Sequence, residues 1–107
     1  MKKIKNFDTV QYPNTLIIGV QTPSNFNSDI ESYFEEFRNL IDSNEIHYDH
    51  DYYVKLRSID PAYFFTKGKL HEIITLCEEN NIEEVIVSEP LSNQQQRNLR
   101  RILRAQV

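Results

Sequence analysis

The chain has 107 residues, of which 39% are apolar and 11% aromatic, enough to build the core of one modest domain and too many for a disordered chain. Its formal net charge is −4, but residues 92–107 hold four arginines and no acid, whereas residues 1–91 hold 8 basic and 16 acidic side chains. The negative net charge of the whole chain argues weakly against a nucleic-acid partner, and the positive charge of residues 92–107 argues for one.

Neither a membrane span nor a secretory signal is predicted. No apolar run approaches the roughly 18 residues that span a bilayer, and the first eight residues lack the apolar stretch of a secretory signal. A cytoplasmic protein without membrane insertion is therefore expected. Residues 1–14 are polar and basic and end near Pro13, which predicts an N-terminal arm followed by one domain over residues 15–107.

The first half of that domain predicts a strand, a helix and a strand. Leu16–Val20 is wholly apolar, as is typical of a parallel strand covered on both faces. Ser28-Asp29-Ile30-Glu31 has the pattern of a capping box and opens a helix. A second strand over Tyr52–Arg57 is less apolar and is expected nearer an edge. The apolar positions of the helix are Ile30, Tyr33, Phe34, Phe37, Leu40 and Ile41.

The second half begins with an aromatic loop, Asp60 to Phe65, in which Pro61 blocks regular structure. Lys67, Gly68 and Lys69 then open a helix with Leu70, Ile73, Ile74 and Cys77 on its apolar side, ending near Asn80. Glu84–Ser88 is a third strand. Ser92 and Gln95 form a capping box for a third helix, and Val107 falls where a fourth strand begins. The inward residues of that helix are Leu99, Ile102 and Leu103.

This order predicts a three-layer α/β domain of βαβαβα type, with a parallel sheet of three to four strands between helices. The loops at the carboxyl ends of parallel strands gather on one edge of the sheet, and ligands of such sheets bind there. Gln21–Asn27, Ser58–Lys69 and Glu89–Ser92 are expected to meet at that edge. Cys77, the single cysteine, lies on an apolar helix face and is interpreted as a buried structural thiol.

Two basic clusters are candidate anion sites. Lys67, Gly68 and Lys69 stand at a helix N-terminus, which favours RNA phosphate or a nucleotide; otherwise Gly68 serves backbone geometry, through a positive φ or a close approach, beside two solvated lysines. If this cluster binds RNA or a nucleotide, Tyr63 and Phe65 would stack on a base. The second cluster lies on one face of the third helix and is either a phosphate-contacting face or a solvated or packing surface. It consists of Arg97, Arg100, Arg101 and Arg104.

The sequence gives less support to a metal site, a catalytic nucleophile or nucleotide hydrolysis. His47, Asp49 and Asp51 would share one side of a strand, but no second cluster complements them, so no metal site is predicted. The serines at turns and caps have no histidine placed to serve them, and no catalytic residue is assigned. With only Gly19 and Gly68, the chain has no phosphate-binding loop of the Gly-x-x-x-x-Gly-Lys-Ser/Thr type, so nucleotide hydrolysis is not expected of these residues.

Two motifs resemble one known family. Pro61, Tyr63, Phe64, Lys67-Gly68-Lys69 and Glu72, followed by Leu91-Ser92, Gln95 and Arg97-Asn98-Leu99, are similar in spacing and order to the N-terminal domain of HflX-type ribosome-associated GTPases. The similarity extends over about residues 15–107. Family members often have a glycine where Thr66 stands, a proline where Asn93 stands and an acid near Arg100.

The resemblance implies a function. In that family a helical hairpin and a GTP-binding domain follow this domain, and the protein binds the large ribosomal subunit and splits or rescues ribosomes. It implies that the chain is the front part of such a protein, cut as the fourth strand begins. Its partners would be ribosomal RNA, not DNA, and its own helical and GTP-binding domains, with GTP and Mg²⁺ held by the latter and no cofactor here. The alternative is a domain that binds a small molecule or a nucleotide such as ATP or GTP.

Overall fold

The structure, a computed structural model, describes residues 12–25 and 29–107. They form a three-stranded parallel sheet with helices on both faces, in the alternating order strand, helix, strand, helix, strand, helix. The predicted α/β class and βαβαβα order are confirmed. Residues 1–11 of the predicted arm lie outside the described residues, whereas Asn14, its last residue, donates from its side chain to the Asn80 carbonyl at 3.0 Å.

The sheet is built around its first strand. β1 (Thr15–Gln21) lies between β2 (His50–Lys55) and β3 (Glu84–Val87), and both neighbours run parallel to it. All seven residues of β1 are buried, which explains its apolar sequence, because a central parallel strand is covered on both faces. The predicted edge position of β2 is confirmed, although β2 begins at His50 instead of Tyr52.

The helices divide between the two faces of the sheet, and a short 3-10 turn, Pro23–Asn25, follows β1. α1 (Ile30–Ser43) packs on Ile17. α2 (Lys67–Asn80) and α3 (Asn93–Leu103) pack on the opposite face, because alternate residues of a strand point to opposite sides. That larger core joins Leu16, Ile18 and Val20 to Leu70, Ile73, Cys77, Leu99 and Leu103.

Cys77 is 4% exposed within this core, and burial raises the pKa of its thiol to about 11. The interpretation of Cys77 as a buried structural thiol is therefore confirmed. Among the described residues, no helix combines the length and apolar character that crossing a membrane requires.

Several local predictions are wrong by small amounts. The N-cap of α1 is Asp29, whose carboxylate accepts from the backbone N–H and the hydroxyl of Ser32; Ser28, the predicted cap, lies outside the described residues. Leu40 is 55% exposed and Ile102 is 37% exposed, although the helical period predicts that both face the core. Leu40 lines an open groove with Glu36, and Ile102 lines an open cleft beside α2.

The ends of the two helices on the larger core are defined by left-handed residues. Asn81 closes α2 with a φ of 52°, and Arg104 closes α3 with a φ of 57°. Arg104 therefore follows α3 and is not one of its helical residues. Beyond it, Gln106 forms a parallel bridge with Glu84, so the chain runs alongside β3 at the place predicted for a fourth strand.

Candidate functional site

The loops that follow the three strands meet at the carboxyl edge of the sheet. A shallow cavity of about 370 Å³ is lined by residues of all three loops, including Thr22, Ile59 and Glu89. The predicted gathering of these loops is thus confirmed for their described residues. At the same edge the Tyr33 hydroxyl of α1 bonds to Glu89 and to Ser88 Oγ, and burial together with Glu89 raises the pKa of Tyr33 to about 12.

The aromatic loop is held by hydrogen bonds between its own residues. Asp60 Oδ1 accepts from the N–H groups of Ala62 and Tyr63 at 2.8 and 2.7 Å. Asp60 and Phe64 also exchange two backbone hydrogen bonds, at 3.1 and 2.9 Å. Phe64 has a φ of 68°, a left-handed conformation that is strained for a bulky side chain and persists only where the surroundings impose it. The loop is therefore pinned, as the sequence predicts.

Two side chains of α3 fasten this loop to the domain. Gln95 Nε2 donates to the Asp60 carbonyl at 2.8 Å, while Gln95 Oε1 accepts from the Ser92 N–H at 2.8 Å. Asn98 Nδ2 donates to the Ala62 carbonyl at 2.9 Å. The two sequence motifs that resemble the GTPase family are thus in direct contact. The capping box identifies Gln95 as a cap, but its contact with Asp60 across 35 residues has no signal in the sequence.

A cleft of about 460 Å³ opens between the aromatic loop, α2 and α3. Its lining residues are Asp60, Lys67 and His71 together with Tyr63, Phe65, Leu70, Ile74 and Ile102. The structure thus brings together three predicted site residues, Tyr63, Phe65 and Lys67. Tyr63 is half-buried, whereas Phe65 is 1% exposed and packs edge to face on Phe64, so Tyr63 offers the more open ring.

The two lysines at the start of α2 differ in their surroundings. Lys67 is exposed and lines the cleft. Lys69 Nζ lies 3.8 Å from Glu72 Oε2, and the other oxygen of Glu72 accepts from the Tyr52 hydroxyl of β2 at 2.5 Å. Burial and the contact with Glu72 raise the pKa of Tyr52. Lys67 is therefore the lysine of the cleft, and Lys69 belongs to the side facing β2.

The predicted backbone role of Gly68 is wrong. Gly68 occupies a helical position without a positive φ, and an added Cβ would have no atom of the described residues within 4 Å. The position that does not accommodate a side chain is Gly19, where a Cβ would lie 2.8 Å from Tyr53 Cδ1 and 3.0 Å from Phe34 Cδ1. Gly19 lets these two rings cover β1, so its role is tight packing.

The four arginines are all exposed, but none lines the cleft. Arg100 and Arg104 line a separate shallow groove beside Glu83. Arg97 and Arg101 lie on the outer face of α3, and Arg101 directly precedes Ile102, which does line the cleft. None of the four forms an ion pair within the described residues, where Lys69 pairs with Glu72 and His47 hydrogen-bonds to Asp49.

The residues considered for a metal have structural partners. His47 Nε2 lies 3.0 Å from Asp49 Oδ1, Asp49 Oδ2 accepts from the Thr15 N–H, and Asp51 accepts from the Tyr53 hydroxyl. The Thr15 amide lowers the pKa of Asp49. Within the described residues, no group of three or more His, Cys, Asp or Glu side chains is arranged to hold a metal ion.

Comparison with known families agrees with this fold and these motifs. A family described as GTP-binding GTPase N-terminal matches residues 31–107, well over half of the chain. The chain therefore belongs to this family of GTPase N-terminal domains. The family is the N-terminal domain found in HflX-type GTPases, as the motifs indicate. No curated protein matched the chain.

Proposed function

We propose that this chain is the ribosome-docking and regulatory domain of a cytoplasmic HflX-type GTPase, and that it contacts RNA of the large ribosomal subunit while the whole protein splits or rescues ribosomes. GTP and Mg²⁺ are assigned to a separate GTP-binding domain, since these residues contain no phosphate-binding loop. The domain would also pack against the helical and GTP-binding domains of its own protein.

The observation that carries this proposal is the exposed arginine cluster formed by α3 and its C-cap, Arg104. Its four arginines lie in a segment without acids, in a chain whose net charge is −4, and they make no ion pair within the described residues. The planar guanidinium donates two parallel hydrogen bonds to a phosphate, which suits an RNA backbone.

The experiment is a salt titration of binding to the large ribosomal subunit with the full-length protein. Changing Arg97, Arg101 and Arg104 together to Glu is expected to weaken binding about tenfold or more at physiological salt. The slope of log affinity against log salt concentration should fall by about one for each phosphate that the variant no longer binds. Arg57→Glu, a single exposed reversal outside α3, measures how much one such charge reversal elsewhere on the surface weakens binding. Unchanged affinity in the triple variant would show that the face does not contact RNA.

A second candidate function rests on the cleft beside Lys67. Its volume of about 460 Å³ falls within the range of about 300–1,000 Å³ that is usual for small-molecule pockets, and Tyr63 with Lys67 offers a ring and a cation for a nucleotide. Calorimetry and thermal unfolding with ATP and GTP test this candidate. Binding heat that disappears in Tyr63→Leu supports it, and neither heat nor a melting shift at millimolar nucleotide removes it.

A further inference from the structure

A groove of about 240 Å³ lies between α1 and β3, on the face of the sheet opposite α2 and α3. Phe37 and Leu40 of α1 line it, together with Ser88, which directly follows β3. Ile86 of β3 is half-buried and packs on the hydrophobic cluster that contains Phe37. Leu40 is 55% exposed, the largest value for a long aliphatic side chain among the described residues. The apolar side of this groove is therefore open to solvent in the described part of the domain.

The position of α1 leaves room for one more helix. Phe34 and Arg38 of α1 both lie against Tyr53 of β2: the two ring centroids are 4.8 Å apart, and the guanidinium carbon is 5.2 Å from the Tyr53 centroid. α1 is thus drawn toward β2 and away from β3, while two helices share the opposite face. Parallel sheets are normally covered on both faces. The place beside α1, above β3, has no helix within residues 12–25 and 29–107.

The charges along this groove are negative. Glu36 lines it, and so does Tyr33, whose hydroxyl donates to the Glu89 carboxylate. Glu84 points to the same face of β3 as Ile86, because alternate residues of a strand share a face. No lysine or arginine is among the residues that the structure describes as lining the groove. Such a surface attracts a basic partner and repels an acidic one or a nucleic acid.

We infer that this groove receives a basic amphipathic helix from another part of the same GTPase, an inference that rests on the packing of the domain against its own protein in the proposed function. The apolar side of that helix would cover Leu40 and Phe37. Its lysines or arginines would lie near Glu36 and Glu89. A second copy of the domain that used the same face would set these carboxylates against each other, which disfavours a symmetric dimer here.

The path of the chain favours a helix of the same polypeptide over one of another protein. Gln106 forms a parallel bridge with Glu84, and Val107 lines the open edge of β3 together with Ile86 and Glu89. The last described segment therefore lies beside the same strand that borders the groove. A helix joined to this segment is held close to the groove, and such a link raises its effective concentration there.

The test is photo-crosslinking in the full-length protein, without ribosomes, with Leu40→benzoylphenylalanine. Irradiation and mass spectrometry should identify a crosslink within the same polypeptide, to a segment of net positive charge. Asn39→benzoylphenylalanine is the control, because Asn39 is exposed on the same helix but does not line the groove, and it should lose this crosslink. Equal crosslinking from both positions would overturn the inference.

Two charge reversals test the basic character of the helix. Glu36→Lys should lower the crosslink yield at position 40 by about half or more, because an attraction becomes a repulsion. Glu35→Lys is the matched control, since Glu35 is exposed on the same helix and does not line the groove. Equal yields in the two variants would show that the partner is not recognised by its charge, and would overturn the inference.

The outcomes separate this inference from the proposed function, which is judged by the ribosome affinity of the arginine variant. No crosslink from position 40, or a crosslink to a second copy, overturns the inference while ribosome docking can still hold. A crosslink to an acidic or uncharged segment also overturns it. A crosslink to a basic segment of the same polypeptide supports the inference, and unchanged ribosome affinity of the arginine variant would then remove only the RNA contact.

Discussion

α2 and α3 lie on the same face of the sheet and both begin at its carboxyl edge, yet their first turns are closed differently. α3 has a complete capping box: Ser92 Oγ accepts from the Gln95 N–H, and Gln95 Oε1 accepts from the Ser92 N–H. The N-cap of α2 is Thr66, whose side chain makes no capping bond within the described residues. A helix whose first N–H groups are satisfied internally is a structural anchor, and one whose groups are open can meet an anion.

The largest effect on stability should come from removing Gln95, which caps α3 and holds the aromatic loop. Gln95→Ala is expected to reduce the free energy of unfolding by about 2 kcal/mol, because it leaves the Ser92 N–H and the Asp60 carbonyl without their partner in a partly buried place. Denaturant unfolding measures this reduction. The control is Gln94→Ala, an exposed change in the same turn that should have little effect. Equal reductions in both variants would mean that Gln95 does not fasten the aromatic loop.

Removing the two N-caps tests the comparison directly. Ser92→Ala should cost about 1 kcal/mol, the usual effect of truncating a bonded cap. Thr66→Ala should change stability by less than about 0.5 kcal/mol, since the Thr66 hydroxyl caps nothing in the described residues. Thermal and urea unfolding of the two variants measure the difference. A destabilisation at Thr66 as large as that at Ser92 would show that α2 is capped in solution.

The glycine of α2 provides a gain in stability. Gly68→Ala should stabilise the protein by about 0.5 to 1 kcal/mol, because the position is helical, exposed and open to a Cβ. Gly19→Ala is the contrasting variant and should destabilise, because its Cβ would meet Tyr53 and Phe34. Melting temperatures that move in opposite directions confirm this interpretation, and a destabilised Gly68→Ala contradicts it.

The last test concerns the loop that precedes α3, which Tyr33 ties to α1 through Glu89, and its effect appears only at alkaline pH. The pKa of Tyr33 is raised from 10.0 to about 12, so the neutral phenol is favoured in the folded protein. Its contribution to stability is complete below pH 10 and disappears as the pH rises through about 12. Alkaline unfolding of the wild type and Tyr33→Phe, which has no phenol to ionise, measures this. Parallel pH profiles for the two proteins would contradict it.

Much of the fold could be predicted from residue patterns. The apolar run from Leu16 to Val20 indicates a central strand because only a strand covered on both faces lacks polar alternation. Ser92 and Gln95 indicate the start of α3 because a capping box acts within four residues. By contrast, the predicted cap of α1 is one residue too early, since Ser28 and Asp29 are both good caps and the local pattern does not choose between them.

The candidate site is less predictable for the same physical reason. Lys67 and Lys69 look equivalent in the sequence, and only the position of Glu72 beside Tyr52 separates them. The glycine that the fold requires is Gly19 and not Gly68, because the need for a glycine at position 19 arises from the packing of two rings distant in the chain. Ile102 follows the helical period, yet the packing of α2 against α3 leaves it at an open cleft.

The sequence alone determined the order of elements, the buried central strand, the start of α3, the basic charge of α3 and the family to which the chain belongs. These follow from short-range periodicity, capping and motif spacing, which act between residues close in the chain. The tertiary structure decided which lysine faces the cleft, which glycine is required and how Gln95 and Asn98 hold the aromatic loop. These depend on contacts between residues far apart in the chain, and such contacts exist only once the helices have packed on the sheet.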